Sequence, residues 1–231
     1  LRNPICFYEG HLPAFGVNTL VKRGLGRPGV DEELEVLFER GIDPEDESAA
    51  PKVASAWPSR IATRAFGAAA SRLVLDTLAQ ADIADDDNPV LAGGLAVHTV
   101  LEHDPMHHET LAYILHRLAS DQKIRPASLP APRIGGEPTA RQTARIAAGR
   151  VTLGVAPGEI PFGWDNEFPR LSVDVGAFDI DVDSVTNRDY LEFVNAGGYE
   201  DESLWDGEAR SWRSAHDVRY PLFWELHRGA W

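Results

Sequence analysis

The sequence has little sulfur, few basic residues relative to acidic ones and no long apolar run, and each of these shortages argues against a class of protein. One cysteine, Cys6, and one methionine occur in 231 residues, so an internal disulfide is impossible and a reducing, cytoplasmic location is expected. The 22 basic residues face 36 acidic ones, and the formal net charge of −14 argues against nucleic-acid binding. No apolar stretch approaches the ~20 residues of a membrane span.

Helical periodicity dominates the first half of the chain. Asp31 is predicted to cap a helix that ends at Gly41, and a long loop rich in proline, serine and acidic residues follows over 41–59. Apolar residues spaced by four predict a second helix over about 59–82. A third is predicted over about 90–120.

The pattern changes after residue 122. The segment 123–150 is rich in proline, glycine and alanine, which is typical of an interdomain linker. We therefore expect a helical domain over 1–122 and a mixed domain over 151–231.

Short strands and one capped helix are expected in the second half. "LSVDV" and "FDIDV" alternate apolar with polar residues, as half-buried strands do. Thr186 and Asp189 form a capping box for a short helix. The tryptophan-rich tail shows no regular period.

The stretch "EHDPMHHET", over 102–110, places two histidines on one apolar helix face. At helical spacing, the residues that share this face are Ala96, Val100, His103, His107, Leu111, Ile114 and Leu118. His98 and His116 fall on the far side and His108 at the flank. Two imidazoles at positions i and i+4 can bind one metal ion, although such pairs also arise by chance as satisfied core histidines.

A third ligand has to come from another helix. "FYEGHLPAFG" offers His11, with Phe7 and Phe15 four residues to either side on the same apolar face. Cys6 lies off that face. For His11 taken alone, a buried histidine without a metal is the simpler interpretation.

Pro105 lies between the two histidines, in a helix interior where it removes a hydrogen bond at a cost of ~3 kcal/mol. Because the apolar stripe keeps its phase on both sides, we expect an irregular turn there and not a helix end. Residues that destabilise their local secondary structure, as this proline does, are typical of functional sites.

Two motifs carry a family resemblance. "GHLPAF" followed by "EHDPMHHETLAYILHRL" resembles the iron-binding pattern of DinB-like four-helix bundles. "IPFGWDNEFPRLSVDVGAFDIDVDSVTNRDYLEFVNAGGY" resembles the opening of the formylglycine-generating, sulfatase-modifying domain, which has a C-type-lectin-like fold. In this order, the two are similar to the ergothioneine-forming sulfoxide synthases.

The resemblance implies an α+β multidomain protein, with a DinB-like four-helix bundle followed by part of a C-type-lectin-like domain. It implies that His11, His103 and His107 bind Fe(II) and that His108 does not. The implied activity joins a thiol to the imidazole of an N-methylated histidine betaine with O2. The implied partners are thus small molecules, with no role for nucleic acid or membrane.

Some family features have no counterpart here. Some relatives carry a betaine-binding glutamine before the second iron histidine, where this chain has Met106. No thiol-binding arginines can be aligned, and the catalytic residues are expected beyond Trp231. We therefore expect an incomplete chain whose first helix precedes Leu1, whose second domain is completed by further polypeptide or a second chain, and which alone shows no turnover.

Other functions remain open at this stage. A related synthase could use a selenium donor or form an ovothiol-type product. A formylglycine-generating enzyme needs cysteines in its modifying domain, and none follows Cys6. A non-catalytic protein or a DinB-type thiol transferase would hold zinc, or no metal, in the bundle.

Overall fold

The computed structural model describes residues 3–39, 57–130 and 140–231. No helix in these ranges has both the length and the apolar character that a membrane span requires. The end predicted at Gly41 and most of the loop predicted over 41–59 lie outside the described residues.

The chain separates into two units. The first contains Leu1–Pro132 together with Gly154–Leu171, and the second contains Arg133–Leu153 together with Ser172–Trp231. The first unit therefore includes a segment that follows the predicted linker.

The predicted linker over 123–150 is not free of regular structure, because strand β1 spans Thr143–Ile146 and β2 begins at Gly149. Neither strand alternates in burial, and β2 is exposed throughout. Their sequences do alternate polar with apolar residues, as "TARI" and "RVTL", but these short runs lie in a segment rich in proline, glycine and alanine and were overlooked.

Four α-helices form a bundle in the first unit. They are α1 (Ile5–Gly16), α2 (Glu32–Glu39), α3 (Arg60–Gln80) and α4 (Leu95–Arg117). A π-helix, Val17–Gly24, continues α1 without a break. The first part of the chain is thus mainly helical, as its periodicity indicated.

The bundle core is built on α1 and its π-helical continuation. Phe7, Val17 and Val21 are fully buried there, and they cluster with Phe38 of α2 and Phe66 of α3. Apolar side chains on facing helices exclude water, which is the main source of the bundle's stability.

Helix α4 runs continuously through Pro105, so the expectation that this proline does not end the helix is confirmed. Ala96, His103, His107 and Ile114 are buried on one side of it. The stripe identified from spacing therefore faces the bundle core.

The second unit contains short strands in two-stranded sheets. β3 spans Leu171–Val175 and pairs with β2, and β4 spans Phe178–Asp181 and pairs with β1. β1 and β4 are antiparallel, with Arg145 opposite Asp179. The strands expected in "LSVDV" and "FDIDV" are confirmed, but β4 is largely exposed and not half-buried.

Helices α5 (Asn187–Asn195) and α6 (Gly207–Ala215) follow the strands. The predicted capping box of Thr186 and Asp189 is present at the start of α5. α6 was missed from the sequence, although Asp206 accepts a hydrogen bond from the Ala209 amide as a helix cap does.

A buried carboxylate holds α2 against the π-helix. Glu35 is 1% exposed and accepts hydrogen bonds from Lys22 Nζ at 2.8 Å and from the amides of Val30 and Asp31 at 2.5 and 3.1 Å. Burial raises the pKa of Glu35, but these donors outweigh it, and the pKa lies below its ordinary value near 4.5.

We predict that Glu35→Gln lowers the free energy of unfolding by about 1–3 kcal/mol at pH 7, because Lys22 loses a charged partner but is exposed enough to rehydrate. Since the folded pKa is lowered, the carboxylate contributes fully above pH 4.5, and the contribution is lost as the pH falls through the lowered pKa. Urea denaturation of both proteins from pH 7 to pH 3 measures the difference. A difference that stays constant with pH would contradict the assignment.

Candidate metal centre

Helix α4 supplies two buried imidazoles one turn apart. His103 is 4% exposed and His107 is 1% exposed. Residues four apart on a helix project from the same face, so the two rings lie side by side, with centroids 4.4 Å apart. Their Nε2 atoms are 3.0 Å apart.

Helix α1 brings a third imidazole to the same point. His11 is 4% exposed, and its Nε2 lies 3.2 Å from Nε2 of His103 and 3.1 Å from Nε2 of His107. The three nitrogens therefore form a nearly equilateral triangle. Within the described residues, this is the one group of three or more histidine, cysteine or acidic side chains close enough to hold a metal ion.

The edges of this triangle match the spacing of ligands on one ion. Nitrogens about 2.0–2.2 Å from an ion would be roughly 2.8–3.1 Å apart at right angles and roughly 3.3–3.6 Å apart in a tetrahedron. The observed Nε2–Nε2 distances of 3.0–3.2 Å lie within or just above the range expected for ligands at right angles. The three side chains thus fit one face of an octahedral metal site.

The His11 tautomer follows from its outer nitrogen. Nδ1 lies 2.6 Å from the carbonyl oxygen of Phe38, which can only accept a hydrogen bond. In neutral His11, Nδ1 therefore carries the proton, and Nε2 presents its lone pair to the other two histidines. This is the tautomer that a metal ion at Nε2 requires.

The environment keeps the imidazoles neutral. Burial, and next the charge that His11 and His107 would carry if protonated, lowers the pKa of His103 to about 3. Burial and the charge of His11 lower that of His107 to about 4. Burial lowers the pKa of His11 too, while the Phe38 carbonyl opposes the shift. Neutral imidazole is the ligand form, so the site is ready to bind a cation near pH 7.

Aromatic rings pack around the three histidines. Phe7 stacks on His11 with centroids 4.8 Å apart, and Phe15 stacks on His103 at 3.6 Å with the ring planes 7° apart. Tyr8 lies 5.5 Å from His107. These rings restrict the imidazole orientations and contribute to the burial of the triangle.

The other candidates considered in the sequence lie outside the triangle. His108 and His116 are exposed, and Cys6 is not one of the clustered side chains. His98 is half-buried and stacks on Phe162 at 5.8 Å. The Phe38 carbonyl, by contrast, was missed, because a backbone group 27 residues from His11 leaves no mark in a side-chain pattern.

Comparison with known proteins shows which domain family and which proteins this chain resembles. Residues 131–225 match the sulfatase-modifying factor enzyme 1-like domain. Ergothioneine biosynthesis protein 1 of Neurospora crassa is 30% identical over 212 residues, covering 84% of this chain and 24% of that protein. The resemblance to the ergothioneine-forming sulfoxide synthase family is confirmed.

Bacterial relatives of the family support the same relationship. Hercynine oxygenase of Mycobacterium tuberculosis is 31% identical over 200 residues, covering 86% of this chain and 45% of that protein. Hercynine oxygenase of Mycolicibacterium smegmatis is 30% identical over 162 residues, covering 70% of this chain and 36% of that protein. The chain thus spans less than half the length of these relatives.

We predict that His11→Ala, His103→Ala and His107→Ala each weaken metal binding by more than about a hundredfold, since changes that touch only the outer nitrogen of a ligand already cost 10–100-fold. Isothermal titration and metal analysis after iron(II) loading provide the measurement. His108→Ala is the matched control, because its side chain is an exposed neighbour of His107. Equal iron content in His107→Ala and His108→Ala would refute the assignment.

Proposed function

We propose that this chain carries the iron-binding part of a nonheme, O2-dependent sulfoxide synthase of ergothioneine biosynthesis. The observation that carries the proposal is the buried triangle of three Nε2 atoms, with edges of 3.0–3.2 Å, in a chain related to that family. In this proposal His11, His103 and His107 bind Fe(II). The substrates are a thiol (cysteine or a cysteine peptide), a histidine betaine and O2.

Each residue at the site has a physical task. The three histidines hold the metal as neutral ligands, and the Phe38 carbonyl keeps the proton of His11 on Nδ1. Phe7 and Phe15 pack on the imidazole faces and contribute to their burial. Bound iron(II) would supply the redox chemistry that couples the thiol, the betaine and O2.

The donor set favours a catalytic site over a structural one. Structural zinc sites are closed by four protein ligands, whereas catalytic metals keep positions open for substrate. Within the described residues, three side chains converge and no acidic or cysteine side chain joins them. Right-angled spacing of these nitrogens is consistent with further open positions on the opposite side of the ion.

The domain assignment belongs to the same proposal. We assign the helical bundle to the DinB-like fold and the sulfatase-modifying region to the C-type-lectin-like fold, with the domains divided between residues 122 and 150. A cytoplasmic location and completion of the second domain by further polypeptide or another chain are likewise proposed. Leu222 is 72% exposed and Leu226 is 59% exposed in that unit, which supports a covering partner.

Oxygen consumption by the full-length protein loaded with iron(II) tests the function. We expect uptake that needs both a thiol and a histidine betaine, with a sulfoxide product identified by mass spectrometry. His107→Ala should abolish this uptake, and His108→Ala should retain it.

The alternatives give different results in that assay. A formylglycine-generating enzyme would oxidise a cysteine peptide without the betaine. A zinc-dependent thiol transferase would consume no oxygen. A selenium-using or ovothiol-type synthase would consume oxygen but prefer another donor or form another product. Any of these outcomes would replace the proposal.

A further inference from the structure

The backbone carbonyl of Phe38, in α2, lies against His11. It accepts the Nδ1–H of His11 at 2.6 Å. A hydrogen bond from the outer nitrogen raises the basicity of the ring, which favours a positive metal ion on the far nitrogen.

His11 differs in this respect from the other two histidines. Nδ1 of His103 and Nδ1 of His107 are buried, and no hydrogen-bond partner for either occurs in the part of the chain that the structure describes. Within that part, α2 therefore provides the hydrogen bond that orients one of the three rings.

The position of α2 is itself held by specific contacts. Glu35 is anchored by Lys22 and by the amides before the helix, and its carbonyl accepts a hydrogen bond from Asn18 at 3.4 Å. The Phe38 ring is fully buried and stacks on Phe66 at 5.7 Å. These contacts fix how far the Phe38 carbonyl lies from His11.

Gly10 explains how α2 comes so close to α1. A β-carbon at Gly10 would lie 2.4 Å from two atoms of the Phe38 ring, a distance that real side chains do not adopt. Any larger residue at position 10 must therefore displace Phe38, the residue whose carbonyl bonds to His11.

We propose that α2 is a positioning element for the metal site: the Phe38 carbonyl selects the Nδ1–H tautomer of His11 and aims its Nε2 at the ion. Gly10 and Glu35 are then positioning residues, because they hold that carbonyl in place without touching the metal. The inference rests on the proposed metal site. It adds that metal affinity depends on α2, which contributes no ligand side chain.

Zinc(II) titration of the chain and its variants is the first test. Gly10→Ala should raise the Kd about ten- to a hundredfold, the usual effect of losing a partner on a ligand's outer nitrogen. Combining it with Phe38→Leu, which makes room for the new methyl group, should recover most of the affinity. A double variant as weak as Gly10→Ala would overturn the proposal.

Matched controls separate positioning from general destabilisation. Gly67→Ala is also a buried helical glycine change, but its β-carbon would have ordinary contacts at 3.4 Å, so the Kd should stay within about twofold of wild type. Glu35→Gln should raise the Kd several-fold, whereas Glu33→Gln, exposed on the same helix, should not. The Glu35 and Glu33 pair keeps the test decisive if Gly10→Ala does not fold.

Proton–nitrogen NMR of the zinc-loaded chain, with labelled histidine, reads the tautomer directly. We expect a slowly exchanging proton on Nδ1 of His11 that weakens or disappears in Gly10→Ala and returns in the double variant. A purely structural role for Gly10 would leave this signal unchanged. An Nε2–H tautomer of His11 would overturn the proposal.

The two proposals fail in distinguishable ways. If His107→Ala abolishes zinc binding while Gly10→Ala and Glu35→Gln bind like wild type, the metal site stands and the role of α2 is wrong. If zinc binding is unaffected by His107→Ala, the metal site itself is wrong.

Discussion

The convergence of three buried, neutral imidazoles is the constraint around which the helical bundle is organised. Their Nε2 atoms are 3.0–3.2 Å apart, and burial lowers the pKa of each ring, which disfavours the charged form. In the proposed metal site, a cation at the common point would satisfy all three nitrogens. The aromatic packing of α1 and the continuity of α4 keep the rings in this geometry.

The bundle meets this constraint through two kinds of contact. Apolar packing of Phe7 and Phe15 against the imidazole faces uses the same hydrophobic surface that stabilises the core. Hydrogen bonds are the second kind of contact. The Phe38 carbonyl orients the His11 ring, and the buried Glu35 holds the helix that carries this carbonyl. If the proposed metal site is correct, stability and metal binding are thereby linked through α2, although α2 supplies none of the proposed ligands.

Much of the candidate metal site could be predicted from the sequence, because the side chains on α4 obey helical periodicity. The spacing of His103 and His107 within an apolar stripe required only a continuous helix, and Pro105 did not interrupt it. The resemblance to the sulfoxide synthases was available from short motifs and agrees with the relatives that match most of this chain. The exposed strands β1 and β2 were missed, since their alternation of polar and apolar residues is short and lies within a segment rich in proline, glycine and alanine.

By itself, the sequence determined the helical character of the first unit, the face on which two histidines lie and the family relationship. These follow from local spacing and from motifs that survive in linear order. Tertiary structure alone decided how His11, more than ninety residues from the other two, reaches the same point, and which of its nitrogens carries the proton. The reason is physical: a side-chain pattern records which face of a helix is apolar, but not which helices meet. A side-chain pattern also does not show which backbone carbonyl accepts a hydrogen bond, because every residue has a carbonyl and only packing places it next to a donor.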